Sequence, residues 1–192
     1  IYTSQYTLSL HDALPICQII CRADNKAIQN IQDCRNKRWM AVAPTSAAGY
    51  LFALDHFLTH GIAKKDFRSI TFAPGPGGKQ EKVVQAVYLG EADIGSIREG
   101  TLTLVRDQVE LDAIRVLANT RRYPSWVYAA RKGLDPDAVE AVKQALLDLD
   151  PDIPAHRRML EMAHFQGIIP AADADFDPIR RLTDQVEVNS GD

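Results

Sequence analysis

The chain has 192 residues, of which 46% are apolar and 24% charged. This is globular composition, long enough for one good core or two small lobes and too apolar for an intrinsically disordered chain. A formal net charge of −3 gives no general attraction to nucleic acid or anionic lipid, so any bound anion has to be held by local geometry. No apolar run approaches the roughly 20 residues that span a bilayer; the stretch from Val83 to Leu89 is interrupted by Gln85.

Residues 1–15 contain neither the basic n-region nor the continuous apolar h-region of an export signal. Ser9-Leu10-His11-Asp12-Ala13-Leu14-Pro15-Ile16 resembles translated sequencing-adapter sequence, so residues 1–16 are set aside from the fold reading and the native N-terminus is expected to be missing. From Ile16 onward, short β segments alternate with amphipathic helices, the pattern of an α/β fold with a mostly parallel sheet. Cys17 to Cys21 reads as a strand, residues 22–37 as a polar stretch, and Trp39 to Ala43 as a buried strand ended by Pro44-Thr45-Ser46. A helix is predicted over 47–60, with Leu51, Leu54, Phe57 and Leu58 at helical spacing and Gly61 placed for a left-handed C-terminal cap. The cycle repeats with a strand over 69–73, the loop Pro74-Gly75-Pro76-Gly77-Gly78, and a helix over 80–89 closed by Gly90. A third strand over 93–97 leads into a helix starting near Arg98 or Glu99, and residues 114–117 and 126–130 read as two more strands. Asp135-Pro136-Asp137 opens a helix striped by Val139, Val142, Leu146 and Leu149. A second helix over 155–162, a loop over 170–175 and a last amphipathic helix from Asp177-Pro178 complete the chain.

Cys17, Cys21 and Cys34 are too few for a disulfide scaffold and match no zinc-ligand spacing. Within a strand, Cys17 and Cys21 lie about 13 Å apart, so only Cys34 has the freedom to pair with either.

The turn Pro44-Thr45-Ser46-Ala47-Ala48-Gly49-Tyr50 is the most informative segment. Hydroxyl residues at a helix N-terminus sit beside unpaired N–H groups and the positive end of the helix dipole, where an oxyanion can be held; the plain alternative is an N-cap, worth about 1 kcal/mol. The glycine-rich loop before Lys79 fails as a nucleotide-binding P-loop, since Ala73 stands where the first glycine belongs and Gln80 where the metal-binding hydroxyl belongs. Arg98-Glu99 follows the third strand at the place where α/β sheets put ligands, and Arg98 can pair with an anion there or with a neighbouring carboxylate. Arg121-Arg122-Tyr123-Pro124-Ser125-Trp126 mixes cations with aromatics and suits either a cleft wall or a solvated turn. His56 and His60, four apart on a helix, lack a third ligand at a suitable spacing and read as a solvated pair. No Ser-His-Asp, Cys-His or paired-carboxylate arrangement can be assembled, so no catalytic residue and no cofactor is expected.

The order of segments resembles the phosphate/phosphite/phosphonate-binding family of periplasmic proteins, from about Gln18 to Leu182. Asn36-Lys37-Arg38 stands for the family's Gly-Lys-Arg. Pro44 to Leu51 is similar to its Ser-Thr-Ser-Gly-Tyr-Leu turn, Gly90-Glu91-Ala92-Asp93-Ile94-Gly95 to its Gly-Glu-Ala-Asp-Ala-Gly strand entry, and residues 173–182 to its C-terminal helix. Arg98-Glu99-Gly100 and residues 120–126 look closer to the branch found as sensing regions of membrane histidine kinases, similar to the tetrathionate sensor. The sequence departs from the pattern at Ala47 and Ala48, which replace two family hydroxyls and leave Ser46, and at Gln80, where the family often has a histidine.

The resemblance implies an α/β type II periplasmic-binding (Venus flytrap) fold with one complete lobe over 33–117. It also implies an interlobe crossing segment over 17–32 and a return over 118–192 to an incomplete second lobe. It implies extracytoplasmic capture of a small anionic or polar solute between lobes, through Thr45, Ser46, Ala47, Tyr50, Gln80, Arg98 and Tyr123. The membrane partner is an ABC transporter permease or a histidine kinase membrane region; no nucleic-acid partner and no spanning segment of its own are expected. An enzyme of the same fold group acting on an anion is the alternative from another class. A fragment lacking part of that incomplete lobe is expected to bind ligand weakly.

Overall fold

The computed structural model describes residues 7–11, 16–123, 127–162 and 167–188. In chain order the elements are β1 (Thr7–His11), β2 (Cys17–Arg22), β3 (Arg38–Ala41), α1 (Phe52–Thr59), β4 (Ser69–Phe72), α2 (Lys79–Tyr88), β5 (Ile94–Arg98), α3 (Thr101–Leu104), β6 (Ile114–Asn119) and β7 (Val127–Ala129). They continue with α4 (Pro136–Leu147), α5 (Pro154–Met162), β8 (Gly167–Ala171) and α6 (Asp177–Val188). The chain divides into a unit of Pro15–Arg122 and a unit of Ile1–Leu14 with Tyr123–Asp192. Among the described residues no helix is long and apolar enough to cross a membrane.

The Pro15–Arg122 unit is built on a five-stranded sheet of order β4-β3-β5-β2-β6. β3 runs parallel to both β4 and β5, as the strand-turn-helix cycles predict. The expected mostly parallel sheet is corrected at β2, which is antiparallel to β5 and to β6. An apolar strand reads the same in either direction, so the sequence pattern around Cys17–Cys21 carried no sign of its polarity.

Both faces of this sheet are covered. On one face Trp39, fully buried, packs against Tyr50, Phe57 and Phe67 at ring-centroid distances of 5.3, 5.0 and 5.1 Å. On the other, Ile20 and Ile97 join Val83, Val84 and Val87 of α2. Gly95 permits this second contact, because a Cβ there would lie 2.7 Å from a Val83 methyl and 2.9 Å from a Val87 methyl. Cys17, Cys21 and Cys34 are all free and buried, so the pairing left open for Cys34 does not occur. Desolvation pushes the Cys17 thiol far up and that of Cys34 up to about 12, which holds both as unreactive thiols.

At the opposite strand ends, Arg38 grips Asp93 through Nη2 to Oδ1 at 2.7 Å and Nε to Oδ2 at 3.1 Å, and the Arg38 amide adds a bond of 2.8 Å to Oδ2. The Arg38 side-chain bonds, followed by its amide and charge, hold the Asp93 carboxyl below the usual carboxylate range. Because the folded pKa lies below the unfolded value of about 3.9, the stabilisation is fully present above about pH 5 and is lost as pH falls through the folded pKa. Asp93→Asn is therefore expected to lower stability by about 1 kcal/mol or less at neutral pH, the pair being partly exposed, and to reduce the acid-side loss. Urea unfolding measured from neutral pH down to about pH 3 checks both effects.

The second unit holds an antiparallel sheet of order β7-β1-β8. Two expectations change here. Residues 7–11, set aside as adapter-like, form the middle strand, paired with Val127–Ala129 on one side and Gly167–Ala171 on the other. The loop expected over 170–175 is instead the end of β8 followed by a 3-10 turn over Asp173–Phe176. Pro170 stands within β8, which lies at the sheet edge, where a residue without an N–H is tolerated. Trp126, the expected first residue of β7, lies outside the described residues.

The helix expected to follow β5 directly starts only at Thr101. The strand continues through Arg98, and Gly100 turns the chain at φ 84°, a left-handed value that suits glycine. Helix 47–60 is found, but it opens as a π turn over Ala47–Leu51 before continuing as α1.

Candidate functional site

β3, β4 and β5 are parallel and in step: Ala41 lies opposite Phe72, and Met40 opposite Gly95. Their C-terminal ends therefore reach one sheet edge together, and the three turns that follow them share it.

The turn after β3 is built around Ser46. Its Oγ accepts from the Gly49 amide at 3.2 Å as an N-cap, and its carbonyl accepts from Leu51 at 3.0 Å. The Val42 amide donates to the Gly49 carbonyl at 3.1 Å, folding the turn back on its own strand. As an N-cap, Ser46 uses its oxygen lone pair, and its O–H makes no hydrogen bond among the described residues. Thr45 and Ala47 are exposed, whereas the Tyr50 ring is buried against Trp39 and, at 5.1 Å, edge-on to Phe72. Burial raises the Tyr50 phenol, which keeps it a neutral donor.

The turn after β4 is held by Lys82, whose Nζ donates to the Pro74 carbonyl at 3.0 Å and lies 3.5 Å from that of Pro76. Gly75, Gly77 and Gly78 all take positive φ. α2 then begins at Gly78 without a side-chain cap, so its first amides are left for solvent or a ligand.

Two hydrogen bonds join the three turns. The Gln80 Oε1 accepts from the Arg98 amide at 2.8 Å, linking the start of α2 to the end of β5. Ser96, buried in β5, donates to the Gly49 carbonyl at 2.7 Å and accepts from Trp39 Nε1 at 3.0 Å, linking β5 to the Ser46 turn. The Gln80 amide nitrogen makes no hydrogen bond, and Arg98 makes no ion pair, among the described residues. The edge thus offers a hydroxyl, a carboxamide, uncapped helix amides and an exposed guanidinium, a donor set with the chemistry to hold an oxyanion.

Of the residues singled out from sequence, Thr45, Ser46, Ala47, Gln80 and Arg98 stand on turns at this edge. Tyr50 follows the first turn with its ring in the core, and Tyr123 is buried and belongs to the other unit. Pro124, Ser125 and Trp126 lie outside the described residues, while Arg121 of the same motif pairs with the buried Asp55 at 3.0 Å. The sequence reading missed Ser96 and Lys82. A serine inside the apolar run Ile94-Gly95-Ser96-Ile97 was the available signal, since a buried hydroxyl needs partners. An apolar cavity of about 420 Å³ in the second unit, lined by Tyr128, Leu134, Val139, Val142 and Leu146, carries no comparable donor set; its one cation, Lys143, pairs with Glu140.

A family model described as the periplasmic substrate-binding protein of a phosphonate ABC transporter matches residues 16–176. The phosphate-import protein PhnD of Mycolicibacterium smegmatis is 20% identical over 180 residues, which is 86% of this chain but only 56% of that protein's length. Among solved structures, PhnD1 of Prochlorococcus marinus in complex with methylphosphonate superposes with a TM-score of 0.75 at 16% identity, covering 97% of this chain and 71% of that one. The binding-protein component of a phosphonate ABC transporter from Pseudomonas aeruginosa gives 0.71 at 18% identity, covering 93% and 61%. These likenesses bear out the expected α/β periplasmic-binding fold. With the match running through all three turns and on to Phe176, the chain belongs to the family of phosphonate-type periplasmic substrate-binding proteins of ABC transporters.

Proposed function

We propose that this chain is part of the extracytoplasmic solute-binding component of an ABC importer of the phosphate/phosphonate type, and that the shared edge of its three turns takes a small anionic solute. The observation that carries this reading is the pair of bonds, Gln80 to Arg98 and Ser96 to Gly49, that bind three β-to-α turns into one donor surface. In this reading Ser46 donates its O–H, Gln80 its amide, the first amides of α2 their N–H groups, and Arg98 its charge. Thr45 and the backbone of Ala47 complete the candidate set at this edge, whereas Tyr50, with its ring in the core, and Tyr123, which belongs to the other unit, stand outside it. Capture rather than turnover is the output, in keeping with a family of binding proteins. Because that family serves transporters, a permease is the preferred membrane partner over a histidine kinase region.

The alanines at 47 and 48 point to a weaker hold on a dianion than a turn with three hydroxyls would give. Each charge-assisted hydrogen bond is worth about 1.5–3 kcal/mol, roughly 10- to 150-fold in affinity. Titration with methylphosphonate, phosphate and sulfate should produce a saturable response, and Ser46→Ala combined with Arg98→Ala should abolish it. An unchanged response in the double variant would remove the site from this edge.

A further inference from the structure

α1 carries a second set of ligating side chains, unrelated to the three turns. His56 and His60 stand four residues apart, their ring centroids 4.4 Å apart and their planes inclined by 36°. His60 is the C-cap of the helix, and its amide donates to the Phe57 carbonyl at 3.0 Å. Its carbonyl is held from another segment by Gln32 Nε2 at 2.8 Å. Its Nδ1 lies 2.7 Å from the His56 carbonyl oxygen. A carbonyl can only accept, so Nδ1 carries the proton and the lone pair of the neutral ring resides on Nε2. This is the arrangement in which an Nδ1–H bond to a backbone carbonyl orients a metal-binding imidazole. His56 is half-buried, one helical turn before His60. The carboxylate beside it in sequence, Asp55, is paired with Arg121.

We propose that His56 and His60 form a two-imidazole site for a divalent late transition-metal ion, with Cu²⁺ bound most tightly. Two imidazole nitrogens on adjacent helical turns supply one edge of a tetragonal ligand set, the geometry Cu²⁺ prefers, and that ion heads the affinity order for nitrogen ligands. Among the described residues no cluster of three or more His, Cys, Asp or Glu is placed to hold a metal, so water fills the other positions and the site is open rather than structural. Cys17, Cys21 and Cys34 are buried and do not compete.

Cu²⁺ titration of the whole chain at neutral pH, followed by calorimetry and by electron paramagnetic resonance, tests this. The expected result is a leading site of one ion per chain with hyperfine coupling to two imidazole nitrogens, and weaker binding of Zn²⁺. His56→Ala and His60→Gln should each weaken that site by at least about tenfold, the loss caused even by removing an outer-shell partner of a metal ligand, while His156→Ala should leave it unchanged. Circular dichroism identical to that of the unaltered chain establishes that the variants are folded; His60→Gln keeps a side chain able to donate to the His56 carbonyl. Equal Cu²⁺ affinity in the unaltered chain and the two variants, or coupling to fewer than two imidazoles, would overturn the proposal.

Discussion

Trp39→Ala is expected to destabilise the Pro15–Arg122 unit by about 3–5 kcal/mol, a large part of the 5–15 kcal/mol that a domain typically has. Among the described residues Trp39 is the largest fully buried side chain, and it touches three aromatic rings, from the Ser46 turn, from α1 and from the segment before β4. Its removal leaves a cavity that rigid rings close poorly. The indole N–H also donates to Ser96, which in turn donates to Gly49. Trp39→Phe is the milder change, since it keeps an aromatic ring in the core and loses the hydrogen bond, worth about 1 kcal/mol, with a smaller part of the ring volume. Urea unfolding followed by circular dichroism measures both; a loss below about 1 kcal/mol for Trp39→Ala would contradict the packing described here.

Gly49→Ala is expected to cost about 1–3 kcal/mol and to reduce oxyanion binding as well. A Cβ at Gly49 would lie 2.5 Å from Val42 Cβ, closer still to a Val42 methyl, and 2.8 Å from Ser46 Oγ. Val42 is buried and branched at Cβ, so it cannot swing aside, and the turn itself has to move. The movement displaces the hydroxyl that caps the helix and that the proposed site uses. Gly95→Ala is the control. There the added methyl meets Val83, Val87 and Ile20 on the opposite face of the sheet, so stability should fall by a similar amount while anion binding by the folded protein is retained. Equal loss of binding in both variants would mean that Gly49 acts through stability alone.

The strand-turn-helix cycles were legible because each combined a run of apolar residues, a punctuating turn and a 3.6-residue stripe, as in Trp39 to His60 and Ser69 to Leu89. The antiparallel polarity of β2 was not, since pairing direction is decided by partners some 75 to 100 residues away, Ile94–Arg98 and Ile114–Asn119. The end of β8 was read as loop from Pro170 onward, because a sequence does not show that a strand lies at a sheet edge, where a proline is tolerated. At the site, Ser46, Gln80 and Arg98 were marked by their positions after successive strands. The bonds that unite them were not visible, because Ser96 and the Gln80 carboxamide act across elements with no local spacing to announce them. Tyr50 shows the converse: adjacency to the turn suggested a ligand contact, whereas an aromatic ring beside a buried tryptophan gains more from the core.

The most direct test reads the oxyanion titration of the unaltered chain residue by residue, by amide chemical shifts in solution. Methylphosphonate or phosphate should move the amides of residues 46–49, 79–81 and 98–99 together, with one common saturation curve. Shifts confined to a single turn, or gathered in the Tyr123–Asp192 unit instead, would contradict a site shared by the three turns.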